Sequence, residues 1–168
     1  MPKKLEVVAN IAIITLVVLL AVSLFRQHIY RAKANESGTE LSQGKSVLAP
    51  AGYRWEQHSR TLLMALRYGC VHCERNMELY REIESKFGKG SAETQLLSIF
   101  PDDAFVAQHD IDEHGLHGLP FLANVDFDKL HVLGTPTLLL VDSRGTILRS
   151  WIGELSKQKQ DEVLQVIQ

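Results

Sequence analysis

The sequence predicts an α/β domain carried behind one N-terminal transmembrane helix. Three patterns point to it. Residues 7–25 form an apolar run interrupted only by Asn10, Thr15 and Ser23, with no charge. Residues 61–66 and 95–100 read as nearly continuous apolar strands on either side of an amphipathic stretch, a strand–helix–strand unit. Residues 137–141 read as a further strand, and residues 146–151 return as its hairpin partner.

Length and charge bound the possibilities. The 168 residues allow one ordinary domain plus an appendage. The net charge of −2 and the lack of a basic block after the N-terminus give no electrostatic footprint for nucleic acid. The 2 cysteines are too few for a disulfide-stapled scaffold or a four-cysteine zinc site.

The appendage is the run at 7–25. At ~1.5 Å rise per residue it is long enough for the ~30 Å hydrocarbon core of a bilayer. Lys3 and Lys4 precede it, and Arg26, Arg31 and Lys33 follow, so flanking charge is nearly balanced and does not orient it. The expected organisation is a cytoplasmic N-terminus at 1–6, an uncleaved anchor at 7–25, a polar tether at 26–46 and the domain at 47–168. The alternative is a secretory signal cut after Ala21-Val22-Ser23 or after Ala32-Lys33-Ala34. The run exceeds the ~7–15 residues of a signal's apolar region, which favours the anchor. It contains no Gly-x-x-x-Gly for helix pairing. Either route puts the domain outside the cytoplasm. The expected location is the cell inner membrane, single-pass, with the domain in the periplasm or extracytoplasmic space.

Within the domain, the strand at 61–66 is apolar throughout, as a strand covered on both faces should be. Cys73, Met77, Tyr80, Ile83 and Phe87 then recur at helical spacing, with Glu74, Arg75, Glu78 and Arg81 between them. Gly88-Lys89-Gly90 stops that helix. The strand at 95–100 completes a βαβ unit, for which a right-handed crossover is expected. Further on, Asp102 or Asp103 caps a short helix through Gln108, and Gly115, Gly118 and Pro120 imply loops. Residues 121–125 suggest a short strand. After the strand at 137–141, Asp142-Ser143-Arg144-Gly145 is a turn. The segment 156–168 carries Val163, Leu164 and Ile167 at helical spacing. Trp55 and Trp151 read as packing residues.

Chemistry concentrates at Cys70-Val71-His72-Cys73, which holds both cysteines of the chain. A lone Cys-x-x-Cys beside a βαβ pattern reads as a redox motif. At a strand-to-helix junction Cys70 lies at a helix N-terminus, where backbone N–H groups and the dipole favour an anion. That draws a thiol's pKa from ~8.5 toward neutrality, and the thiolate is the nucleophile of disulfide exchange. Cys73, one turn in, is placed to resolve a mixed disulfide on Cys70. His72 lies inside the ring that the disulfide closes. An imidazolium there would stabilise the thiolate and make the oxidised pair easier to reduce. Gly134-Thr135-Pro136-Thr137 implies a fixed turn before a strand. Composition alone favours a trans Pro136, since only ~5–6% of such bonds are cis. Tyr68, two residues before Cys70, is placed to flank the site.

A Cys-x-x-Cys between strand and helix, a later Gly-Thr-Pro-Thr and a hairpin through Asp-Ser-Arg-Gly resemble the thioredoxin superfamily. With the anchor and the longer middle segment, the chain most resembles the membrane-anchored thiol–disulfide oxidoreductases of the TlpA/ResA kind, over roughly residues 47–168. The resemblance implies a thioredoxin-like three-layer sandwich around a central mixed sheet. It implies a cis Pro136 packed beside the disulfide, and a Thr135 that offers its backbone to a substrate segment. It implies Cys70 as the attacking thiol and Cys73 as the resolving one. The partners are then a protein thiol or disulfide substrate and a redox partner, with no cofactor besides the Cys70–Cys73 pair. Three positions depart from the pattern. Tyr68-Gly69 replaces the family's usual tryptophan, and the two positions that carry a buried acid in relatives hold Met64 and Asn76. Val71-His72 resembles the more oxidising members and the overall architecture the reducing ones, so electron flow is open.

Other readings compete. His109, His114 and His117 with Asp110, Asp112 and Glu113 offer imidazoles and carboxylates of the kind that suit zinc or copper, though a solvated loop after a helix is the better explanation. Cys70, Cys73 and His131 resemble a copper-delivery site, but those proteins usually have three residues between the cysteines. No metal ligand is assigned. A non-catalytic interaction domain of a membrane complex is the remaining alternative. Peroxidases of related fold carry Thr three residues before the reactive cysteine, where this chain has Arg67.

Overall fold

β1 (Arg60–Ala65) is the middle strand of the domain, and every residue after its first is buried. The computed structural model describes residues 43–88 and 93–168. After β1 come α1 (Val71–Arg75), α2 (Met77–Phe87), β2 (Thr94–Ile99), α3 (Ala104–His114), β3 (Phe121–Leu122), β4 (Thr137–Asp142), β5 (Ile147–Ile152) and α4 (Lys157–Val166). Short 3-10 turns occupy Trp55–Gln57 and Asp128–Leu130.

The sheet order is β3-β2-β1-β4-β5. β1 runs parallel to β2, with Leu62 opposite Leu96, and antiparallel to β4, with Leu62 opposite Leu140. The sheet is therefore mixed, as expected. Alternation along the strands sends Leu62, Met64, Leu96, Leu138 and Leu140 to one face and Leu63, Ala65, Leu97, Leu139 and Val141 to the other. Each such leucine, fully withdrawn from water, contributes roughly 1.5–3 kcal/mol.

The two faces are covered differently. The first packs against side chains from all four helices, among them Tyr80, Ile83, Ala107, Ile111, Val163 and Leu164. The second packs against Val47, Trp55, Val125, Leu130 and Val132, none of them in an α-helix. The three-layer sandwich is thus corrected in one respect: among the described residues its second outer layer is irregular chain with two 3-10 turns. Apolar residues in those segments are too sparse for a helical stripe. Trp55 compensates by bulk. Its indole Nε1 donates to the Val47 carbonyl at 3.1 Å, and its ring meets Tyr53 edge-on at 5.2 Å. Gly145 closes that corner at φ +81°, where a Cβ would stand 2.6 Å from the Val47 oxygen and 2.9 Å from Trp55 Cδ1.

Helix boundaries differ from the expectation in two places. The stripe from Cys73 to Phe87 is not one helix: it breaks at Asn76, with φ −96° and ψ 4°. The middle helix is longer than expected, running past Gln108 to His114 before Gly115 ends it in the left-handed region at φ +68°. Asp103 is its N-cap, accepting from the Val106 N–H at 2.9 Å. The strand expected at 121–125 shortens to Phe121–Leu122, because Asn124 turns to φ +55°. The expected membrane span at 7–25 lies outside the described residues. Among those described, no helix is long and apolar enough to cross a membrane.

Candidate redox site

The chain leaves β1 through Leu66, whose N–H donates to the Ile99 carbonyl at 3.0 Å, and turns sharply at Gly69, φ +65°. That left-handed residue costs a side-chain-bearing amino acid about 1 kcal/mol or more. The turn delivers Cys70 to the N-cap of α1 in extended conformation. Cys70 and Cys73 form a disulfide, with Cα atoms 5.2 Å apart. Cys70 is half-buried, whereas Cys73 is 5% exposed within the core. An incoming group therefore meets the Cys70 sulfur first.

Two donors converge on that sulfur. The Cys73 N–H points at Cys70 Sγ from 3.2 Å, and the Thr135 hydroxyl donates to it from 3.3 Å. The Thr135 carbonyl oxygen stands 3.6 Å away. The Thr135–Pro136 bond is cis, so composition alone misled here and the family resemblance did not. The Pro136 carbonyl accepts from Gly153 N–H at 2.8 Å, and the Thr137 hydroxyl donates to the Gly134 carbonyl at 2.7 Å. These bonds set the loop that presents Thr135.

His72 and Tyr68 are both solvent-exposed beside the disulfide. The Tyr68 N–H donates to Asp102 Oδ2 at 3.2 Å, and the Tyr68 ring meets His109 edge-on at 5.6 Å and 89°. Asp102, considered above as a helix cap, is instead the acceptor that holds the loop before Cys70. Sequence reading missed this contact, since nothing in the spacing links residues 68 and 102.

The two positions at which the sequence resemblance expects a buried acid hold other residues with structural roles. Met64 is a fully buried core residue. Asn76 is also fully buried, and both ends of its amide are engaged: Nδ2 donates to the Gly153 carbonyl at 2.9 Å, and Oδ1 accepts from Leu155 N–H at 2.9 Å. Asn76 thus ties the α1–α2 break to the β5–α4 connection, a structural task. One buried carboxylate does lie in this half of the domain. Asp110, on α3, is 5% exposed, with His114 Nδ1 3.7 Å from Oδ1. Burial raises its pKa above the usual carboxylate value; His114 opposes the rise, and Glu113, Asp102 and Glu74 add to it.

The histidines do not converge. His109 faces Glu113 at 3.6 Å, His114 faces Asp110 at 3.7 Å, and His117 faces Asp112 at 3.2 Å. Among the described residues, no three His, Cys, Asp or Glu side chains form a group able to hold a metal ion.

No family model and no curated protein matches the sequence. Solved structures do match. StoA from Bacillus subtilis is similar at 16% identity, over 67% of this chain and 85% of that one, with a TM-score of 0.52. A thiol-disulfide isomerase from Corynebacterium glutamicum matches at 14% identity over 73% of this chain and 92% of that one, TM-score 0.53. The thioredoxin domain of a thiol-disulfide oxidoreductase from Bacteroides vulgatus matches at 14% identity over 76% of this chain and 99% of that one, TM-score 0.56. The fold is thioredoxin-like, and it carries a Cys-x-x-Cys disulfide at the junction of β1 and α1.

Proposed function

We propose that the protein is a membrane-anchored thiol–disulfide oxidoreductase that exchanges disulfides with protein substrates outside the cytoplasm. One observation carries the chemistry: the accessible sulfur of the pair, Cys70 Sγ, receives hydrogen bonds from Cys73 N–H and the Thr135 hydroxyl. Both donors favour negative charge on that atom, and so favour Cys70 as nucleophile and as leaving group.

In the reduced protein the Cys70 thiolate attacks one sulfur of a partner disulfide. A Cys70–partner disulfide forms, and the partner's other sulfur leaves as thiolate. The Cys73 sulfur, deprotonated to solvent or to the departing thiolate, then attacks Cys70 Sγ. The Cys70–Cys73 bond forms, the second partner thiolate leaves, and two electrons have passed to the partner. The reverse sequence oxidises a partner dithiol. His72 sits in the ring between the two sulfurs and tunes the balance when protonated. Thr135 and Tyr68 line the approach.

The uncharged run at 7–25 supports the anchor. The separate pairing of His109, His114 and His117 weakens a metal cluster in that segment. Substitution tests the chemistry: Cys70→Ser abolishes exchange, whereas Cys73→Ala accumulates mixed disulfides with partners. Exchange that survives Cys70→Ser overturns the reading. The reduction potential then sets the direction. A value near −270 mV marks a reductase and one near −120 mV an oxidase.

A further inference from the structure

α3 presents two faces. Ala107, Asp110 and Ile111 point inward and are buried. Phe105 and His109, four residues apart and so on one stripe of the helix, point to solvent, with Phe105 81% exposed. The described residues leave the Phe105 ring uncovered. Large exposed apolar side chains among the described residues are few, and Tyr68 and Val71 are two more, both within two positions of Cys70. Tyr68 joins the groups, because its ring meets His109 edge-on and its N–H is held by Asp102 at the entrance to α3. An aromatic strip, Phe105–His109–Tyr68, therefore runs from the outer side of α3 to the redox pair. It is continuous with the one place where a partner's sulfur must arrive.

Apart from the exposed Arg67 next to Tyr68, the charged groups named around the strip are acidic. Asp102 and Asp103 stand at the start of α3, Asp112 and Glu113 follow on the same helix, and Glu74 lies on α1. His114, Glu113, Asp102 and Glu74 are all close enough to influence Asp110 beneath this surface. An aromatic wall inside a negative rim accepts an apolar or aromatic side chain and repels a carboxylate.

Resting on the exchange activity proposed above, we infer that α3 is the specificity wall of the site. Phe105, His109 and Tyr68 receive an aromatic or large aliphatic side chain of the partner polypeptide, positioned two to four residues from its reactive cysteine. The spacing follows from reach. Tyr68 lies at most about 7.6 Å from Cys70 along the chain, His109 touches it, and Phe105 is one helical turn, about 5–6 Å, beyond. An extended peptide reaches Tyr68 and His109 in roughly two to four residues, and the partner's own aromatic or aliphatic side chain spans the last turn to Phe105.

The test uses the full-length protein in detergent and synthetic single-cysteine peptides supplied as glutathione mixed disulfides. Phe, Ser or Glu is placed two to four residues from the cysteine, on either side. The wild-type protein is expected to favour the best Phe peptide over its Ser counterpart by roughly 3- to 10-fold in kcat/KM, the range of an aromatic contact, and to disfavour Glu. Phe105→Ser, at a solvent-exposed position, is expected to erase that preference through KM. His109→Ala is expected to weaken it. The same preference in wild type and Phe105→Ser, or no preference in wild type, overturns the inference while leaving the exchange activity standing. A wild-type protein that exchanges with none of the peptides and with no dithiol reagent overturns the activity itself and the inference with it.

Discussion

The Thr135 hydroxyl donates to Cys70 Sγ across 3.3 Å, joining the turn before β4 to the start of α1. That turn is 65 residues from the sulfur in sequence, so this contact depends on β1 and β4 being neighbours in the sheet. Thr135→Val removes the donor and keeps the shape. The variant is expected to lose roughly tenfold or more in the rate at which the reduced protein attacks a disulfide near neutral pH, the scale of one hydrogen bond to a charged atom. Its pH–rate profile should move to higher pH, and Thr135→Ser should restore it. A Val variant with the parental profile would show that the hydroxyl does not act on the thiolate.

Asn76→Asp introduces a carboxyl where the sequence resemblance predicts one, but this site is built for an amide. The new oxygen would face the Gly153 carbonyl, which now accepts from Nδ2. Burial and that carbonyl raise the carboxyl's folded pKa above its unfolded value near 3.9. The protonated form can donate to Gly153, so the variant should approach wild-type stability below about pH 4. It should lose stability as pH rises through the raised pKa, by about 1–3 kcal/mol at neutrality. Urea unfolding at both pH values measures this. A loss of equal size at both would contradict the assignment.

Asp110 gives a pH signature of the opposite use. Its folded pKa is raised by burial, partly opposed by His114 and reinforced by Glu113, Asp102 and Glu74. The folded state thus binds its proton more tightly than the unfolded chain. The stability this provides is present below the unfolded pKa and is lost as pH rises through the folded one. Asp110→Asn removes the ionisation, so the variant should be more stable than wild type at pH 7–8, with the gap closing toward pH 4. Thermal unfolding across that range tests it, and a variant less stable at every pH contradicts it.

Gly145→Ala probes the irregular layer. At φ +81° the added Cβ would also press on the Val47 carbonyl and Trp55. The expected loss is at least about 2 kcal/mol, from left-handed strain plus overpacking, read in urea unfolding together with a shift in tryptophan fluorescence. An unchanged midpoint would mean that Val47 and Trp55 do not cap this face.

Much of the architecture was legible because it depends on local pattern. β1, β2 and β4 are apolar runs buried on both faces, and the redox pair and the Thr135–Pro136 turn are short motifs. What escaped depends on distant partners. The apolar stripe runs straight through Asn76, and the helix breaks there where the amide bonds Gly153 and Leu155, across 77 and 79 residues. The polar stretch after Gln108 reads as a solvated loop, yet α3 continues through it and buries Asp110. The irregular second layer has no periodicity to read. It is held by single contacts such as Trp55 Nε1 to Val47.

The most direct test of the central claim is a titration of the full-length protein in glutathione redox buffers, following the Cys70–Cys73 bond by thiol trapping. The account predicts one reversible two-electron transition, with exchange onto a peptide disulfide that disappears in Cys70→Ser. A disulfide that glutathione never opens, or freed thiols that never close again, would contradict it.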